Sequence, residues 1–209
     1  VAEVVGKAEA STTTAIVVPL AIAAACWIGS VKHMDGMDMG TATMLGSFAS
    51  FAPLWAAMMA AMMLPGAIPA VGRHSAGHGA RAVPLFVASY LAVWALLGVA
   101  VYALYEPHGH AAAGTIVIAA GLYELTPVKR YYRRRCHEQL RSGLQFGYCC
   151  VGSSIGLMLV LLALGVMNVG WMAAVTAAAL AQKLLPAKAA LDVPLALAIV
   201  ALGIGIVVI

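Results

Sequence analysis

Apolar residues run along this chain in long blocks separated by short polar stretches. The blocks fall at about 14–31, 44–64, 83–105, 111–126, 144–167, 171–185 and 190–209. Several reach the roughly 20 residues needed to cross a bilayer's hydrocarbon core. A backbone in lipid has to satisfy its own hydrogen bonds, so such blocks must be helices, and the alternating pattern of a membrane β-barrel is missing. The expected fold class is all-α: a polytopic integral membrane bundle of six to seven transmembrane helices, its last span weakened by Asp192, Pro194 and later glycines. Residues 1–13 read as a short cytoplasmic tail or a frayed helix, and 14–209 as a single transmembrane helical domain. The first block is too long, and lacks the small-residue cleavage site, for a removable signal peptide.

The polar stretches punctuate this pattern. Pro65 and Pro69 should end or kink the second helix, because proline lacks the amide donor and clashes with the preceding turn. The Gly- and His-rich stretch 71–81 then reads as a loop, the stretch from Glu106 to His110 as a short turn, and that from Met167 to Gly170 as a tight one. Residues 129–141 are the most charged part of the chain, most simply a topology anchor that also attracts anionic lipid.

Composition agrees with a membrane protein. Of 209 residues, 63% are hydrophobic and 10% charged, against about 25% charged in a soluble domain, and the mean hydropathy is +0.96. A net charge of +4 would suit a nucleic-acid partner, but the basic residues sit in short loops between apolar blocks, so none is expected. With the N-terminus cytoplasmic, eleven of the twelve basic residues fall inside and only Lys32 outside. That bias sets the orientation. It puts the chain in a bacterial inner membrane as a multi-pass protein, in contact with the lipid bilayer. Three of the four cysteines (Cys136, Cys149, Cys150) then lie near the cytoplasmic side, where thiols stay reduced, with Cys26 apart.

Candidate chemistry concentrates in His33-Met34-Asp35-Gly36-Met37-Asp38-Met39-Gly40. Thioethers beside an imidazole are the donors that copper, above all copper(I), selects, and carboxylates widen the choice toward harder ions. The same orientation makes this stretch extracytoplasmic and brings His108 and His110 to its face. The candidate metal ligands are therefore His33, Met34, Asp35, Met37, Asp38, Met39, His108 and His110, with copper the leading metal. The plain alternative is a polar connection, Met-rich because the chain has 11 methionines.

Other motifs leave two readings open. Met58, Met59, Met62 and Met63 recur one turn apart among alanines; they suit a helix–helix interface first and a Met-lined ion path second. Glu124 is either a functional ionisable group at membrane depth or a partner of Lys129 or Arg130. Cys149 and Cys150 read as buried structural thiols, or as a thiolate site shared with Cys136 and His137. His74 and His78 are four apart in the glycine-rich loop and read as solvated. No phosphate loop, dinucleotide fingerprint or nucleophile–base arrangement appears.

Across most of residues 30–186 the chain resembles an uncharacterised bacterial family of predicted metal-binding integral membrane proteins, a domain of unknown function. The resemblance rests on the Met/Gly stretch, Trp55 through Pro65, Tyr90 with Trp94, Gly121 through Lys129, Cys150 through Met158, and Gly165 through Pro186. It implies metal binding and no particular reaction. The chain departs from the family pattern at Tyr132, Ser153 and Ser154, where members carry cysteines, and at Gln182, where an acid appears. Those departures weaken an inner thiolate site and shift weight to the outer Met/His stretch.

The function expected is transition-metal binding, copper first, for handling or delivery at the extracytoplasmic face. The rival is a non-catalytic accessory subunit packing laterally against other membrane subunits of a larger metalloenzyme, for example a copper-dependent one. A stand-alone enzyme is the weakest reading.

Overall fold

The computed structural model describes residues 2–34, 45–107, 109–138, 142–165, 168–185 and 192–208, the side chains of 2–11 excepted. Within them the chain forms eight α-helices: α1 (Ala2–Met34), α2 (Phe48–His78), α3 (Val83–Leu104), α4 (His110–Glu124), α5 (Pro127–His137), α6 (Gly143–Leu164), α7 (Val169–Leu184) and α8 (Asp192–Val208). Most boundaries have a local cause. Side chains of Ser47, Thr126, Ser142 and Asn168 each accept a hydrogen bond from the backbone N–H three residues on, the standard relief for the free donors of a first turn. Pro127 follows Thr126 at a position where its missing N–H costs nothing. Gly79 ends α2 at φ +80°, a conformation that penalises any Cβ.

Several boundaries differ from the sequence expectation. Of the tail and the helix that residues 1–13 allowed, residues 2–13 form helix, continuous with α1. Helix α2 continues through Pro65 and Pro69 to His78, so the loop expected over 71–81 is helical to that point. Tightly packed neighbours allow this, since they hold the helix where proline removes a bond. His74 and His78 therefore sit one turn apart, rings stacked at 4.4 Å.

By length and composition, Thr12–Met34, Phe48–His78, Ala80–Leu104 and Gly143–Leu164 are able to cross a membrane. Helices α4 and α5 together would add a fifth crossing, bent by 61° at the Thr126–Pro127 break. The α7 and α8 helices, of 16 and 17 residues, fall short of that criterion. The described residues thus give four or five candidate spans where the apolar blocks suggested six or seven.

Helices α2 and α6 hold the centre. Two-thirds of the most apolar stretch of each is buried, against under a third for α1 and α3. The methionines at 58, 59, 62 and 63 are all fully buried, as an interface requires. Around this centre α1 packs on α2, α3 bridges α2 and α6, and α8 runs antiparallel to α4. The indole of Trp55 on α2 donates from Nε1 to the Trp94 carbonyl at 2.9 Å, lying where a Cβ on Gly98 would be. Changing Gly98 to alanine should push the indole off that carbonyl and cost about 1–3 kcal/mol, the usual range for overpacking. Denaturant titration of the purified variant measures it.

The bundle has two chemically distinct ends. One gathers Arg73, Arg81, α5 and Lys183; we call it the basic end. At the other, α1 ends with His33 and Met34, α2 and α3 meet through Phe48 and Tyr102 (ring centroids 5.2 Å apart), and α4 begins at His110.

Candidate functional site

The predicted metal ligands distribute as follows. His33 and His110 are exposed at the end opposite the basic one, whereas Met34 is fully buried in the last turn of α1. Asp35, Met37, Asp38, Met39 and His108 lie outside the described residues. The α1 helix packs on α2, and α4 on α6 and α8, so His33 and His110 share an end of the bundle on different flanks. Among the described residues no group of three or more His, Cys, Asp or Glu side chains has metal-binding geometry.

The densest polar chemistry is instead buried at the basic end. Helix α5, expected as part of a charged loop, folds back against α6 and turns Lys129, Tyr132, Arg133 and Cys136 inward. These lie three and four residues apart on one face, while Arg130, Arg134 and Arg135 stay exposed, Arg135 stacking over Tyr131 at 5.3 Å. Charged side chains take the buried face because acids wait there. Lys129 pairs with Glu124, both fully buried, and its Nζ lies 3.7 Å from Asp192 Oδ1. Arg133 reaches both oxygens of Asp192 at 2.8 Å and donates from Nε to the Gln182 carbonyl at 3.0 Å. Gln182 closes the circuit by donating from Nε2 to Glu124 Oε2 at 2.8 Å.

Two cations and two carboxylates thus neutralise each other, tying the α4–α5 break to α7 and α8. Of the two readings of Glu124, the ion pair with Lys129 is the one formed. Lys129 and Arg133 are interior groups, not members of a solvated basic run. The remaining buried oxygen, Glu124 Oε1, has no hydrogen-bond partner among the described residues.

Beside this network lies a cavity of about 30 Å³. That is room for a water or two, or for an ion. Its walls include Arg73, Arg133, Cys136, His137, Ser154 and Lys183. Among the described residues no carboxylate lines it. Lys183 reaches across to the Met63 thioether at 3.2 Å, a weak acceptor.

The thiols gather on the same side. Cys136 Sγ on α5 lies 3.8 Å from Ser153 Oγ on α6, and Cys149 stands one turn before Ser153 on the same face of α6. Cys150 meets the core, its sulfur 3.2 Å from the Tyr90 hydroxyl. All four cysteines are free. The sequence offered one signal for this arrangement. In a chain this apolar, Lys129, Arg133 and Cys136 at helical spacing, with Glu124 one turn before and Asp192 inside a later apolar block, mark a buried face.

Comparison with known proteins gives a family. No curated protein and no solved structure matches the chain. Residues 52–206 match the family PpoB2, described as a copper chaperone. The matched range holds the ion network, the cavity and the three thiols of α5 and α6, and it begins after the Met/His stretch. It covers most of the chain, and the protein belongs to this copper-chaperone family.

Proposed function

We propose that this chain is an integral membrane protein that binds copper as cargo and hands it on, collecting or delivering it through the Met/His stretch at the extracytoplasmic face. Membership of a copper-chaperone family over residues 52–206 is the observation that carries the reading. The surface supports the membrane part. Leu85, Leu96 and Leu104 on α3, Leu122 on α4, and Leu197 and Val208 on α8 are all more than half exposed. In water so wide an apolar surface would aggregate; in lipid it is the ordinary outside of a bundle. The charge bias across the candidate spans supports a cytoplasmic N-terminus.

In this reading His33 and His110 are the accessible imidazoles of the outer face, and Met34, Met37 and Met39 supply soft sulfur. Asp35, Asp38 and His108 complete the candidate ligand set. Weak, exchangeable thioether ligands suit a protein that must release its metal as well as take it. The expected result is roughly one or more copper ions per purified full-length chain, with the outer share lost when Met34, Met37 and Met39 are changed together to leucine. Metal counting on the gently solubilised protein measures it. Copper content unaffected by the triple change would overturn the outer site. A metal-free chain recovered in fixed ratio with other membrane subunits would replace the reading by that of an accessory subunit.

A further inference from the structure

We propose that Cys136 and Cys149 form a two-thiolate copper(I) site at the basic end, with Lys183 and Arg73 as its counter-charges. This rests on the copper-handling reading above and adds a second site, at the opposite end of the bundle from His33 and Met34.

Three independent observations meet there. The two thiols come from different helices and share one seam: Cys136 Sγ on α5 lies 3.8 Å from Ser153 Oγ on α6, and Cys149 precedes Ser153 by one turn on the same face of α6. Two thiolates are a full donor set for copper(I), which thiolates select, whereas a structural zinc requires four ligands. That matches a site where, among the described residues, no third His, Cys, Asp or Glu stands in metal-binding geometry. The adjoining cavity of about 30 Å³, which Cys136 lines, accommodates an ion.

Charge supplies the third argument. Copper(I) with two thiolates is an anion: two S–H bonds break, two Cu–S bonds form, two protons leave, and the metal stays in the +1 state. The complex carries one negative charge where the free thiols carried none. An anion in a mostly buried site needs a cation. Arg133 is committed to Asp192, but Arg73 and Lys183 line the cavity without a carboxylate partner among the described residues. Lys183 spends its contact on the sulfur of Met63. Loading the thiols gives this ammonium the counter-charge it lacks.

The site also lies where the family match lies, between residues 52 and 206, while the Met/His stretch precedes it. Copper held at both ends suits a chain that passes the ion along its length.

The test uses the full-length protein in detergent or nanodiscs, reduced and anaerobic, titrated with copper(I) against a colorimetric chelator. Sulfur-only coordination is read by X-ray absorption. The expected results are a tight site lost in Cys136→Ser and in Cys149→Ser but kept in Cys26→Ser, and affinity roughly ten- to a hundredfold lower in Lys183→Met. On the unaltered protein, copper(I) should shield Cys136 and Cys149 from a maleimide while Cys26 still reacts, which keeps the test valid if a serine variant misfolds. Unchanged copper affinity in both serine variants, or maleimide reactivity indifferent to copper(I), overturns the inner site and leaves the outer one standing. Failure of the unaltered chain to take up any copper overturns both.

Discussion

Changing Lys129 to methionine should lower the stability of the bundle by about 3–5 kcal/mol, the cost of removing one partner from a buried ion pair. The side chain is fully buried, pairs with Glu124 and stands 3.7 Å from Asp192. Methionine fills much the same volume, so the loss is electrostatic: Glu124 is left charged in the interior, with Gln182 as its remaining donor. The companion variant isolates that cause. Changing Glu124 to glutamine as well removes the stranded charge, and Arg133 still neutralises Asp192. The double variant should therefore be more stable than Lys129→Met alone, a strongly non-additive pair. Denaturant unfolding of the purified proteins gives both numbers. A single-variant loss under about 1 kcal/mol would mean that water reaches the network and screens it.

The second large effect concerns the seam between α4 and α8. A Cβ on Gly114 would lie 2.8 Å from the Gly203 carbonyl oxygen, and one on Gly203 would lie 2.9 Å from the Gly114 oxygen. Each glycine presses on the other helix's backbone, which cannot rotate away as a side chain can. Gly121 repeats the contact two turns on, its Cβ position 3.1 Å from the Ala196 oxygen. Small residues at such spacing let membrane helices approach closely where hydrophobicity cannot drive them together. Alanine at 114 or 203 should cost about 1–3 kcal/mol, and valine at Gly203 more, by levering α8 outward. Because α8 begins with Asp192, the same change should loosen the carboxylate that Arg133 holds. Gly205 on the same helix has open space around its Cβ position; alanine there should be neutral, or stabilising by up to about 1 kcal/mol. Equal effects at 203 and 205 would refute the seam.

The position of the polar network explains why a buried charge cluster persists in so apolar a chain. The break at Thr126–Pro127 turns α5 by 61° back onto α6. That turn carries Lys129 and Arg133 toward α7 and α8, and it sets Cys136 against Cys149. The ion network holds the break in place; the thiols and the cavity depend on that placement. Lys129→Met should therefore weaken the proposed thiolate site as well as the fold.

The apolar blocks were enough to predict the helices of the described residues, because blocks of that length without alternation would leave a backbone in lipid no other way to pair its donors. They located α3, α4, α6, α7 and α8 to within a few residues.

Tertiary structure decided the rest. Prolines 65 and 69 stop an isolated helix, yet packing carries α2 past both. Lys129 and Arg133 look like members of a solvated basic run until α5 folds back and brings them to Glu124 and Asp192, 5 and 59 residues away from their respective partners. Cys136 and Cys149 are merely two of four cysteines until the same bend makes them neighbours. Hydropathy reports each residue's preference for water or lipid; where a charge or a thiol finds a partner depends on which helices touch.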